Sequence, residues 1–158
     1  MRFSEAVGAD GKVISFEPDF KNFSFLQFNS NINRCHNLKC ENIGLADKPA
    51  TLKFFRDTET GGRMGSFGQK YVSGNFKGFT DVVKVETYDK MVEIYGVPNF
   101  VKIDVEGFEL TVLKGIQQFS KETKFLIEVR GDTKNGVFEL LNSNHLAHSR
   151  INLKKDLI

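Results

Sequence analysis

The stretch Asn99–Glu109, NFVKIDVEGFE, constrains what this chain can fold into more than any other. Phe100, Val101 and Ile103 form an apolar run too short for a helix. The run stops at an acid, Asp104, and Glu106 and Gly107 follow. Leu110, Leu113 and Ile116 then recur at helical spacing, which predicts a helix over about 106–119. A buried-type strand that ends on a carboxylate and turns into a helix is the repeating unit of an open α/β sheet. Such sheets bind ligands just beyond the carboxyl ends of their strands. Asp104 and Glu106 fall at that edge, where they either take part in chemistry or cap and charge the helix that follows.

The rest of the chain repeats the alternation. Arg2–Val7 reads as the tail of a helix, and Gly8–Gly11 as its stop. Val13–Phe16 reads as a buried strand closed by Glu17 and Pro18, with Pro18 in the first turn of the next helix. Phe20, Phe23 and Leu26 give that helix, about 19–29, an apolar stripe that Phe25 and Phe28 widen, so it should be well covered. Strands are expected around Leu38–Ile43, Ala50–Phe55, Val82–Val85 and Phe125–Val129, with short helices over Asp89–Tyr95 and Val137–Leu141. Ala147–Leu153 could supply an edge strand. Between Arg56 and Gly78 lie six of the fourteen glycines and no clear periodicity, so this stretch is either functional or mobile. Apolar strands alternating with helices imply a mostly parallel sheet with helices on both faces, in one domain over 1–158.

Composition narrows the function classes. Twenty-two Lys and Arg against twenty Asp and Glu leave a formal charge of +2, which argues against a nucleic-acid surface. No run approaches the ~20 apolar residues of a membrane span, and the first residues lack the apolar core of a signal peptide. Sixteen Phe and no Trp suggest a Phe-packed core. Cys35 and Cys40 have neither a disulfide-framework nor a zinc spacing, which fits two reduced thiols, at least one of them buried, and a cytoplasmic setting. His145 and His148 stand three apart but lack an acid at helical spacing, so no metal site is assigned.

Three strands end in or beside an acid: Glu17, Asp104 and Glu128. A carboxylate at a strand end offers its lone pairs to the two hydroxyls of a ribose. The same acid also suits a helix N-terminus, and for Glu17 both readings stand.

The segments GKVISFEPDFKNF (Gly11–Phe23), NIGLADKPATL (Asn42–Leu52), VETYDKM (Val85–Met91), VKIDVEGFELTVLKG (Val101–Gly115) and FLIEV (Phe125–Val129) resemble, in order and separation, the FkbM-type S-adenosylmethionine-dependent methyltransferases. The best match spans 11–129. The resemblance implies a Rossmann-like class I methyltransferase sheet with S-adenosylmethionine lying across its strand ends. It implies that Glu17 binds the ribose and that Gly44 and Leu45 lie near the adenine. Asp104 would face the sulfonium and the acceptor oxygen. The acceptor implied is a hydroxyl of a sugar, a lipid or a secondary metabolite. A hydroxyl must lose its proton, which makes Asp104 the first candidate general base and Glu106 the second. Glu106 otherwise serves the helix dipole, the reading favoured here, and Gly107 permits a tight turn. Gly65–Gly68, GSFG, either lines the acceptor pocket or is a mobile loop.

One family element is missing. The family opens with a strand and a D-x-G-A-N-x-G loop, and Val7–Gly11 does not replace them. The expectation is a sheet incomplete at its N-terminal side. Either a strand lies upstream, or the flanking strands close together, or a partner chain donates one. The alternative function is therefore a catalytically incomplete domain that binds a partner through its open sheet. A nicotinamide-dependent oxidoreductase ranks last, because no G-x-G-x-x-G turn follows any expected strand.

Overall fold

The computed structural model describes residues 2–56, 65–68 and 79–151. In chain order these give α1 (Arg2–Ala6), β1 (Val13–Phe16), α2 (Phe20–Ile32), β2 (Leu38–Glu41), β3 (Gly44–Leu45) and β4 (Ala50–Arg56). β5 (Phe79–Glu86), α3 (Tyr88–Tyr95), β6 (Phe100–Ile103), α4 (Glu109–Lys114), β7 (Lys124–Ile127) and α5 (Lys134–Ser143) follow. The α/β alternation is as expected, with the expected strands and helices near their predicted places, but the short β3 forms where the sequence reads as a turn after β2. The proposed edge strand is not formed over residues 147–151, and its last two positions lie outside the described residues.

The sheet differs from expectation. Among the described residues it is three small sheets: β1 with β2, β6 with β7, and β3–β5–β4. The first two are parallel pairs. In the third, β3 runs parallel to β5, and β4 runs antiparallel to it over Ala50–Arg56. A parallel neighbour needs a crossover, usually a helix, whereas an antiparallel one does not. The stretch between β4 and β5 carries no helical periodicity, which is the physical reason the pair is antiparallel.

Tyr95, at the end of α3, packs against the β1–β2 pair. Its hydroxyl donates to the Glu41 carboxylate of β2, its ring packs 6.5 Å from that of Phe16 in β1, and the ammonium groups of Lys12 and Lys39 each lie 5.1 Å from its centroid. The Tyr95 hydroxyl, with Lys39 assisting, holds the Glu41 carboxyl below its usual range. Phe3 of α1 adds a ring contact to Phe100 of β6, at 6.1 Å.

The main core packs α4 and α5 against β6: Tyr88, Ile103, Val112, Leu113, Ile116, Val137 and Leu141 are buried together. Each fully buried side chain of this size contributes roughly 1.5–3 kcal/mol. Contrary to the composition-based expectation, this centre holds no Phe. Phe108, Phe119, Phe125 and Phe138 surround it half-buried, their large rings closing the rim. Neither Cys35 nor Cys40 is fully buried, against the expectation for at least one of them.

α2 departs further. Asp19, not Pro18, begins it as N-cap, accepting from the Asn22 N–H at 2.9 Å. Asn22, Phe23, Leu26 and Ser30 turn inward, while the remaining apolar residues, interleaved with Lys21, Ser24, Gln27 and Asn29, fall on other faces. Phe20, Phe25, Phe28 and Ile32 stay more than half exposed, so this helix is not well covered.

Candidate functional site

β6 delivers Ile103 into the core and ends, leaving Asp104 exposed at its carboxyl edge. Asp104 does not cap the next helix. α4 starts at Glu109, and its N-cap is Phe108, which makes no side-chain cap bond. The Asp104 carboxylate instead meets the Lys102 ammonium at 2.5 Å. Both side chains are over a third exposed, so this pair contributes little to stability.

Glu106 also departs from the helix-dipole reading. It lies before the helix in a left-handed conformation, φ 47°, and Gly107 continues the turn at φ 93°. Such geometry is unusual for Glu and natural for Gly, which explains the glycine. The Glu106 carboxylate pairs with the Arg130 guanidinium beyond β7, a contact that holds Arg130 still more firmly protonated.

The residue that sequence reading missed is Glu109. It is 1% exposed. Its Oε1 accepts from the Gly107 N–H at 2.7 Å and its Oε2 from the Thr133 hydroxyl at 2.8 Å. A charged residue is almost never fully buried without partners, and here both oxygens are engaged by hydrogen bonds. Its only sequence signal is its place as a lone acid on the apolar face of α4.

Asp104, Glu106, Glu109, Glu128, Val129, Arg130, Gly131 and Asp132 line one cleft of about 660 Å³ at the carboxyl ends of β6 and β7. Two of the three strand-end acids, Asp104 and Glu128, therefore meet in it. Glu17 does not line this cleft. It sits half-buried at the end of β1, where its Oε1 accepts from the Asp19 N–H at 2.9 Å. Burial pushes the Glu17 carboxyl up, against the pull of that N–H, and the charge of Asp19 adds to the rise. Pro18 and Asn42 beside it line a smaller hollow of about 210 Å³, and Asn42 donates to the Glu17 carbonyl at 2.8 Å. Gly44 is buried in β3, and a Cβ there would come within 2.6 Å of the Phe67 ring, so the absent side chain makes room for that ring. Leu45 packs on the main core.

Phe67 belongs to Gly65–Gly68, which packs against β4 and the residues before α4 and does not line the cleft. Its ring lies 5.0 Å from Phe54 and 4.8 Å from Phe108. Ser66, 1% exposed, exchanges two backbone hydrogen bonds with Phe55 of β4. Its hydroxyl donates to the Glu106 carbonyl at 2.9 Å. The rest of the irregular stretch lies outside the described residues. Among those described, no group of three or more His, Cys, Asp or Glu side chains could hold a metal ion, and no helix is long and apolar enough to cross a membrane.

β6 and β7, parallel strands that end in carboxylates around an open cleft, put that cleft where α/β sheets commonly receive ligands. The comparison with protein families makes this specific: the methyltransferase FkbM domain matches residues 1–147, and the chain belongs to that family. No curated protein and no solved structure matches the chain significantly.

Proposed function

We propose that this chain is an S-adenosylmethionine-dependent O-methyltransferase acting on a hydroxyl of a small molecule, a glycan or a lipid, as a single cytoplasmic domain. The observation that carries the reading is the cleft at the end of β6, with Asp104 at its edge and a built turn behind it. The reduced thiols Cys35 and Cys40 are in keeping with the cytoplasm.

The residues present fit the nucleoside end of the cofactor. Glu17 is a half-buried carboxylate at a strand end, positioned by the Asp19 N–H, with a hollow beside it. It would hold the ribose hydroxyls, with Gly44 and Leu45 on the adenine side. S-adenosylmethionine, when bound, supplies a methyl group already activated on sulfur. Asp104 would accept the proton of the acceptor hydroxyl, and the Glu106–Arg130 pair would orient the acceptor at the mouth of the cleft.

Titration calorimetry with S-adenosylhomocysteine tests this. Binding heat is expected for the wild type, with affinity falling about tenfold or more in Glu17→Ala, the cost of a charge-assisted hydrogen bond. The affinity should also weaken on acidification. Burial raises the Glu17 carboxyl, so its charged, ribose-binding form is lost at a pH above the usual carboxylate range. A Glu17→Ala variant binding as tightly as the wild type would remove Glu17 from the site.

A second reading is favoured by one observation: β1 and β6 are not hydrogen-bonded to each other. Among the described residues each pairs on one side only, leaving an edge able to accept an extended segment. Under that reading the domain is catalytically incomplete and binds a partner strand between its parallel pairs. Absence of any calorimetric heat in the wild type would favour it.

A further inference from the structure

The peptide group joining Glu106 to Gly107 is held at both ends by buried side chains. Its C=O accepts from the Ser66 hydroxyl at 2.9 Å, and its N–H donates to Glu109 Oε1 at 2.7 Å. Ser66 and Glu109 are each 1% exposed, and neither lies on the strand that carries Asp104. The flanking residues both have positive φ, 47° at Glu106 and 93° at Gly107, a conformation that glycine adopts freely and that strains the Glu106 backbone.

Each clamp is itself anchored. Ser66 is tied to β4 through Phe55, and its oxygen also accepts the Gly68 N–H at 3.1 Å. Glu109 receives the hydroxyl of Thr133, the N-cap of α5. Thr133 makes no side-chain cap bond to its own helix; its hydroxyl lies 2.8 Å from Glu109 and 3.1 Å from the Arg130 carbonyl. One relay of hydrogen bonds thus runs from β4 through Ser66, the 106–107 peptide and Glu109 to the start of α5. It crosses the turn that fixes Asp104 on one side and the Glu106–Arg130 pair on the other.

We infer that Ser66 and Glu109 are positioning residues: a two-sided clamp that fixes the left-handed turn and so sets where the Asp104 and Glu106 carboxylates stand in the cleft. As a statement about catalysis this rests on the methyltransferase reading. As a statement about the turn it stands alone. A buried carboxylate accepting a backbone N–H is a charge-assisted contact, stronger than a neutral one. The site needs that strength because the Glu106 backbone has to be held away from its preferred region.

The test is amide exchange and NMR on the full chain. Ser66→Ala is expected to speed exchange of the Gly107 amide by about tenfold, the cost of one lost hydrogen bond transmitted through the peptide. It should also shift the Arg130 side-chain resonance, while the amides of Val13–Phe16 keep their wild-type rates. Glu109→Gln keeps an acceptor for Gly107 and should hold exchange within about threefold of the wild type, whereas Glu109→Ala should not. If Gly107 exchange and the Arg130 resonance are unchanged in Ser66→Ala, the clamp is wrong. S-adenosylhomocysteine calorimetry on the same samples reads the methyltransferase assignment independently. A wild type without heat would sink that assignment, while the exchange rate of Gly107 alone decides for or against the clamp.

Discussion

Exchanging Asp104 for Asn should lower the rate of methyl transfer by roughly 10²–10⁴-fold, the usual contribution of a positioned general base. Asn keeps the shape of the carboxylate and loses its ability to take a proton. The acceptor KM should therefore change far less than kcat, because the interaction removed is used only as the acceptor oxygen is deprotonated. Stability should change by less than about 0.5 kcal/mol, since Asp104 is exposed and its contact with Lys102 is a surface ion pair. The check is the pH–rate profile for transfer of labelled methyl to a hydroxyl acceptor, measured in both proteins. Loss of the acidic limb in Asp104→Asn supports the assignment. An unaltered rate would pass the role to another acid of the cleft, Glu128 being the next at a strand end.

The largest stability effect is expected elsewhere, at Arg56. Its guanidinium pairs with Asp19 and, at 2.6 Å, with Asp81. Asp19 is 1% exposed and at the same time caps α2. Arg56→Ala strands that carboxylate in the interior, which costs about 3–5 kcal/mol for a buried pair broken on one side. A chain of this length should then melt on the order of 10 °C lower. Adding Asp19→Asn to Arg56→Ala removes the buried charge as well as its partner while leaving residue 56 the same. The double variant should therefore melt above Arg56→Ala. If it melts no higher, packing of the arginine stem and not charge compensation explains the loss.

The sequence made the ends of the short strands legible because there the signal is local. VISF and FVKI are apolar runs closed by acids, and both became strands at those residues. What sequence could not supply depended on distant partners. Glu106 falls in what looks like a first helical turn, and only the contacts of Ser66, Glu109 and Arg130 hold it in a left-handed turn. Periodicity cannot reveal this, because Ser66 and Arg130 are 40 and 24 residues away. Glu109 was overlooked because its burial depends on Thr133, in an element not yet reached by the chain. The direction of β4 also escaped the mostly parallel reading, because strand–helix alternation elsewhere implies parallel neighbours and only the ladder with β5 shows the opposite. The exposure of Phe20, Phe25 and Phe28 was not legible either, because the apolar residues of α2 are interleaved with polar ones and mark no single face.

The separation of the two parallel pairs bears on how the molecule comes apart. Among the described residues β1–β2 and β6–β7 share no ladder, and β4 reaches both: Arg56 pairs with Asp19 after β1, and Ser66, bridged to Phe55, donates to the Glu106 carbonyl after β6. Side-chain links of that kind can open without melting either pair, so hydrogen exchange in β1–β2 is expected to report an opening distinct from that of β6–β7. Glu17 closes a strand of the first pair and Asp104 a strand of the second, so under the proposed methyltransferase reading an opening at these side-chain links would move donor and acceptor relative to each other.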